Sequence, residues 1–405
     1  QVKLNVIDTS GVHARPYSAE AFDFVDLPLT REIEKSLGFS GFRAMTPFNQ
    51  AGKFDELISF RGASFFRALG AQNVYGASGR GLAIGTASKD GEEFPYFREF
   101  WIVRPRPGEG SLRVFALLDG ESVTGAFQFD IEPGPNTRVA VKASLYPRRE
   151  LTHIGIAPLT SMYHFSPHDT VKQRYDFRPA VHDSEGLAFQ QQNGEWVWRP
   201  LTNPGELQVS VPAQQVPLGF GLMQRKRHFD EYEDIEAGYE LRPSVWIQPG
   251  AGWETGELTL VEIPTSNEYN DNIVVFWRPS QKWAEGSEHR LSYTMHWSLR
   301  PPAIPDVTAV VDTRSGVLAG DSSKRVFIID YEFADDTLPN DLVASVSASA
   351  GKVSNTVIKR HPTTGLTRLS FQLDPEDAQS SELRAVLTMG GKPVTETWLY
   401  RWRRP

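Results

Sequence analysis

The residues from Glu262 to Asn272 read Glu-Ile-Pro-Thr-Ser-Asn-Glu-Tyr-Asn-Asp-Asn, carboxylates and amides crowded between strand-like runs at 256–261 and 273–277. On composition alone such a run is a solvated loop. Its neighbourhood changes the reading, because it supplies Trp246, Trp253, Tyr269, Trp277 and Arg278. Carboxyl groups can give and take protons at a glycosidic bond, and aromatic faces can pack on the apolar faces of pyranose rings. Acids set among aromatics are what sugar chemistry needs.

A second acid–aromatic cluster lies upstream, in Ala180-Val-His182-Asp183-Ser-Glu185-Gly and Asn193-Gly-Glu195-Trp196-Val-Trp198-Arg199-Pro200. Strand alternation would put Trp196 and Trp198 on one face. Core packing and a sugar-stacking wall both satisfy that placement. A serine hydrolase is disfavoured, since no Gly-x-Ser-x-Gly elbow is present. Acids on two separate segments do permit the paired carboxyls of glycoside hydrolysis.

Other motifs have plainer readings. Gly76-Ala-Ser-Gly79-Arg80-Gly81 has neither dinucleotide nor Walker spacing and is read as turn glycines. His164 and His168 are spaced i, i+4, but Ser166-Pro167 between them argues against a helix presenting both to a metal. The basic run Arg225-Lys226-Arg227-His228 precedes Asp230, Glu231, Glu233, Asp234, Glu236 and Glu240. A solvated, charge-compensated loop is one reading of this stretch, and a lid over a polar cleft is the other.

The elements that must position these groups are mostly strands. β-Branched and aromatic runs at 2–6, 99–103, 113–118, 124–129, 139–146, 207–211, 258–263, 273–277 and 289–297 are punctuated by turn signals such as Asp119-Gly120 and Asn193-Gly194. One short helix is expected at 29–37, ended by Gly38. Arg300-Pro-Pro-Ala-Ile-Pro305 can continue neither a helix nor a central strand, so it reads as a linker. Beyond it, short alternating strands at 307–312, 325–332, 342–349, 366–373, 383–388 and 394–402 fit an immunoglobulin-like sandwich. The fold class is therefore all-β: a large sandwich over 1–299, a linker at 300–305 and an Ig-like domain at 306–405.

Composition narrows the function. With 405 residues the chain can form more than one domain, and its net charge of −8 argues against a nucleic-acid partner. No apolar run reaches the roughly 18–20 residues of a transmembrane segment. Cysteine is absent, which removes disulfides, thiol catalysis and Cys-ligated zinc.

Several longer motifs carry a family resemblance. They include Phe42-Arg-Ala-Met-Thr-Pro47, Gly62-Ala-Ser-Phe-Phe-Arg67, Gly91-Glu-Glu-Phe-Pro95, Ala157-Pro-Leu-Thr-Ser-Met162, Gly194-Glu-Trp-Val-Trp-Arg-Pro-Leu201, Leu241-Arg-Pro-Ser244 and Val261-Glu-Ile-Pro-Thr265 with Asn270-Asp-Asn272. Together they resemble the osmoregulated periplasmic glucan biosynthesis proteins, the OpgG/OpgD (MdoG-like) family, over roughly residues 36–300. Members of that family usually carry further N-terminal sequence, so early strands of the large sandwich are expected to be missing here.

The resemblance implies a mutarotase-like supersandwich followed by an Ig-like domain, a periplasmic location and action on β-1,2-glucan chains. It implies an inverting mechanism with Asp271 as general acid, Asp183 as general base, and Glu268 and Tyr239 in the same cleft. Trp196, Trp198, Trp246 and Tyr269, with Arg199 and Arg242, are the expected substrate-binding residues, although buried pairing with carboxylates would explain both arginines equally well. No metal or organic cofactor is required. Hydrolysis, cyclising transfer by a transglycosylase, and a non-catalytic glucan-binding or scaffold role all stay open. A homodimer or an envelope glucan-synthesis assembly stays open as the protein partner.

Overall fold

Strand-forming runs separated by turns leave a chain few options except stacked sheets, and stacked sheets are what form. The computed structural model describes residues 1–22, 37–169, 176–300, 305–333 and 341–404. The helix expected at 29–37 falls outside the described residues apart from Leu37, as do residues 301–304 of the expected linker.

Two large sheets enclose the main core. The smaller of the two runs Gln208–Ala213, Gly256–Glu262, Ile273–Pro279, Ile154–Ser161, Ser78–Arg80, Phe65–Ala68, Lys53–Arg61 and Gly41–Gln50, with Ala83–Ile84 beside Ile154–Ser161. The larger begins at Gly11–Arg15 and passes through Lys3–Asp8, Tyr96–Val103, Leu112–Asp119, Val123–Glu132, Asn136–Pro147 and His289–Ser298. Phenylalanines from both sheets interlock between them: Phe60 and Phe66 of one lie 5.0 and 5.2 Å, centroid to centroid, from Phe129 of the other. Such edge-to-face contacts add to the apolar area they bury.

The larger sheet then continues through Ser244–Pro249, Gly219–Met223, Gly186–Gln190 and Trp196–Pro200, and on into Thr397–Arg403, Ser380–Met389 and Leu342–Ala348. The first four of these strands are buried on both faces. Leu187, Phe189, Val197, Val245 and Ile247 point into the main core, while Ala188, Trp196, Trp198 and Trp246 point into a second one. That second core is closed by a four-stranded sheet of Val310–Leu318, Asp321–Tyr331, Thr367–Asp374 and Lys352–Arg360. Phe327 and Phe371 from this sheet lie 6.0 Å from Trp398, whose ring stacks on Tyr400 at 5.4 Å. The middle of the large sheet therefore serves two sandwiches at once.

Glycines make this close packing feasible. A Cβ at Gly186 would sit 2.2 Å from the Trp198 ring, and one at Gly219 would sit 2.4 Å from Trp246. Gly79, read from sequence as a turn glycine, instead lies in the buried strand Ser78–Arg80, where a Cβ would meet Phe66 at 2.8 Å. The strand Lys352–Arg360 went unseen in the sequence. It is an edge strand of mostly exposed polar residues and lacks the apolar alternation that marks the others.

The basic run is not a solvated loop. Both terminal nitrogens of Arg225 bond the Glu396 carboxylate, at 2.8 and 2.6 Å, and its guanidinium lies 3.8 Å over the Trp198 ring. Lys226 reaches Asp312 at 3.1 Å. Arg227 donates to the carbonyls of Glu240, Arg242 and Leu299. The Arg225 and Lys226 bonds fasten the two sandwiches together, and those of Arg227 brace the run within the first.

Candidate functional site

The amides of the 262–272 loop are there to shape its backbone. Asn272 accepts from the Tyr163 amide at 2.8 Å and donates to the Ile263 carbonyl at 3.0 Å, which closes the base of the loop. Asn267 accepts from the Tyr269 amide at 3.0 Å. Asn203 grips Thr265 from outside, donating to its carbonyl at 2.9 Å and accepting from its amide at 3.0 Å. Short amide side chains that satisfy backbone groups can hold a turn without strand pairing. Asp271 is presented at the end of this frame.

The Asp271 carboxylate accepts from the Thr160 hydroxyl at 3.3 Å and from Arg67 at 3.4 Å. Arg67 also donates to Ser78 from its Nε. Asp271 stands on an open, polar face, with Tyr269 beside it in the chain and 86% exposed. Neither residue lines the cavities of about 410, 490, 650 and 710 Å³ among the described residues.

Asp183 follows the short strand Val181–His182 and is only 4% exposed. Its amide bonds the Met162 carbonyl at 2.8 Å, and its carboxylate is paired with Arg242. Burial pushes the Asp183 carboxyl up to about 6; Arg242 pulls against this, while the charge of Asp271 adds to it. The two acids, from segments far apart in sequence, are thus within electrostatic reach of each other.

Tyr239 and Glu268 complete the cluster. The guanidinium of Arg242 lies 4.3 Å over the Tyr239 ring and also donates to the Ala237 carbonyl. Burial raises the Tyr239 hydroxyl, and the charges of Glu268 and Asp183 raise it further, so the phenol stays a proton-bearing donor at neutral pH. Glu268 pairs with Arg178 at 2.7 Å, and Arg178 also holds Asp176 and Asp234, each at 2.8 Å. The acidic stretch is tied down by that Asp234 bond and by Tyr232, which is fully buried, whereas Ile235, next after Asp234, is 81% exposed.

The structure therefore gathers Asp183, Asp271, Glu268, Tyr239 and Arg242. It does not bring the three expected tryptophans or Arg199 to them. Trp196, Trp198 and Trp246 are 5%, 2% and 2% exposed, and Trp196 stacks on Trp246 at 5.6 Å, so no ring face is open to a sugar. Arg199 is equally enclosed and pairs with Glu262, which is fully buried. These four residues are core and pairing residues, because the strand that carries them is covered on both sides.

Arg67, Thr160 and Arg178 were missed as site residues. Two of them sat in quoted motifs, Arg67 closing Gly62–Arg67 and Thr160 within Ala157–Met162, with nothing in local pattern to assign a role. Among the described residues no group of histidine, aspartate and glutamate side chains is arranged to hold a metal ion. No helix among them is long and apolar enough to cross a membrane.

The sequence model of the family described as "Periplasmic glucan biosynthesis protein, MdoG" matches residues 1–402. The chain is 46% identical over 403 residues to Glucans biosynthesis protein G of Shewanella frigidimarina, covering 99% of this chain and 72% of that protein. It is 48% identical over 370 residues to the protein of the same name from Vibrio cholerae, covering 91% and 68%. It is also 48% identical over 407 residues to Glucans biosynthesis protein G 1 of Shewanella oneidensis, covering 99% and 74%.

Proposed function

Because the chain belongs to the MdoG family of periplasmic glucan biosynthesis proteins, we propose that it is a periplasmic enzyme that cleaves β-1,2-glucan by inversion. Asp271 is the general acid and Asp183 the general base. The observation that carries this reading is that one short segment, residues 160–162, meets both acids: the Thr160 hydroxyl donates to the Asp271 carboxylate at 3.3 Å, and the Met162 carbonyl accepts from the Asp183 amide at 2.8 Å.

In this mechanism Asp271 protonates the leaving glycosidic oxygen from the open face, once substrate takes the place of the loose Arg67 contact. Asp183 receives the proton of the attacking water. An inverting pair stands roughly 6.5–9.5 Å apart to admit that water. Since Asp183 is almost wholly enclosed, its proton arrives by relay through a further water or a substrate hydroxyl. Arg242 keeps the base ionised, and Tyr239 and Glu268 line the approach. Tyr269, standing free beside the acid, is the aromatic surface available to a pyranose ring.

The test is to incubate the purified protein with linear β-1,2-glucan and resolve the products. Shorter linear chains support hydrolysis. Cyclic or re-linked chains move the reading to transfer on the same acids. Unchanged substrate would leave a glucan-binding protein and overturn the enzymatic account.

A further inference from the structure

A cavity of about 710 Å³ opens between the two sandwiches, lined on one side by the 202–208 segment and on the other by strands of the C-terminal sandwich. Its size lies within the roughly 300–1,000 Å³ typical of small-molecule sites. The polar groups on its walls are of both kinds. Glu206, whose side chain is 84% exposed and lies 3.6 Å from Arg403, offers carboxylate acceptors. Arg325 and Arg404 donate to backbone carbonyls, and among the described residues neither is paired with a carboxylate. Each keeps N–H groups that those bonds do not use. Trp402 supplies an apolar wall beneath Arg404.

A simple oxyanion would satisfy the arginines but would be repelled by Glu206, and an apolar ligand would satisfy neither. A chain of hydroxyl groups donates and accepts at every residue. The cavity is also coupled to the candidate catalytic loop. Asn203, on its wall, is the residue that grips Thr265 with two hydrogen bonds. Pro204 and Gly205 are shared with a second cavity of about 650 Å³ that reaches Pro264, Thr265 and Ser266 of the same loop.

We propose that this inter-sandwich cavity is a second saccharide site, which binds a distal stretch of a glucan whose scissile bond lies at Asp183 and Asp271. The proposal rests on the glucan reading above for the identity of the chain. It gives the C-terminal sandwich a direct part in holding substrate.

Gly316 and Gly205 both line the cavity, neither has a positive φ, and a Cβ at either meets nothing within 4 Å. Gly316→Trp and Gly205→Trp therefore obstruct it from opposite walls with little strain. Each is made in the full chain, in an Asp271→Asn background that removes turnover. Calorimetric titrations use β-1,2-gluco-oligosaccharides of graded length and a linear β-1,3-glucan as a second polyhydroxylated chain. Either block should weaken binding of long β-1,2 chains roughly tenfold or more, while short ones that fill only the carboxylate cluster bind as before. Equal affinity of long chains for blocked and open protein overturns the second site and leaves the glucan reading intact. If only the β-1,3-glucan binds, and the blocks abolish that binding, the cavity stands and the β-1,2 reading falls. No binding of either chain to the unblocked protein overturns both.

Discussion

The guanidinium of Arg242 is bonded to the carboxylate of Asp183, a group that is only 4% exposed. A buried carboxylate needs such a partner, and the partner here is itself braced on Tyr239 and the Ala237 carbonyl. Burial and the nearby charge of Asp271 raise the proton affinity of Asp183 while Arg242 lowers it, and the balance settles at about 6. A base poised there is ionised at neutral pH yet still able to accept a proton.

The pH dependence of activity follows from this balance. The rate on β-1,2-glucan should rise with pH through about 6 as Asp183 ionises. Arg242→Gln removes the opposing cation, so the acidic limb should move upward by roughly 1–3 pH units. A pH–rate profile with the same acidic limb in both proteins would contradict the assignment.

Stability should carry the same signature with a defined sign. The folded value of about 6 lies above the ordinary 3.8. Below pH 3.8 both states hold the proton, and the group costs the folded state nothing. As pH rises to about 6 the unfolded chain releases its proton first, and stability is lost, in total on the order of 3 kcal/mol. Urea melts from pH 4 to 7 should therefore show the stability difference shifting toward Asp183→Asn across that window. A pH-independent difference would refute it.

The Arg225–Glu396 pair predicts a purely structural phenotype. Glu396 is fully buried and also accepts from the Val310 amide at 2.9 Å. Arg225→Ala strands that charge and should cost about 3–5 kcal/mol, read as a fall in melting temperature. Combining Arg225→Met with Glu396→Gln should recover much of the loss, whereas an unchanged melting temperature in Arg225→Ala would mean that the pair does not fasten the sandwiches.

Aromatic substitutions should separate core from substrate surface. Trp246→Ala opens a cavity in the second core and should destabilise by about 3–5 kcal/mol. Tyr269→Ala, at a residue 86% exposed, should leave stability within about 0.5 kcal/mol while weakening glucan binding. Thermal melts together with binding titrations check both, and an effect of Tyr269→Ala on stability alone would remove it from the substrate surface.

Many of the strands were legible because alternation and turn residues are local signals; Lys352–Arg360, without that alternation, was not. The acid–aromatic loop was legible because its composition is unusual for its length. What holds the site together was not. Arg67 and Thr160 reach Asp271 across 204 and 111 residues, and no periodicity encodes such a meeting. Arg225 resembled a solvated charge because its partner, Glu396, is 171 residues away. Trp196 and Trp198 do share a face, as alternation requires, but that face meets a second core and not solvent. An apolar strand states its two faces; it does not state what covers each.

Products from linear β-1,2-glucan, compared for the wild-type chain and Asp271→Asn, test the central claim most directly. The account predicts new chain ends with the wild type, none with the variant, and glucan affinity in the variant within about twofold of wild type. Turnover by Asp271→Asn at the wild-type rate would contradict it.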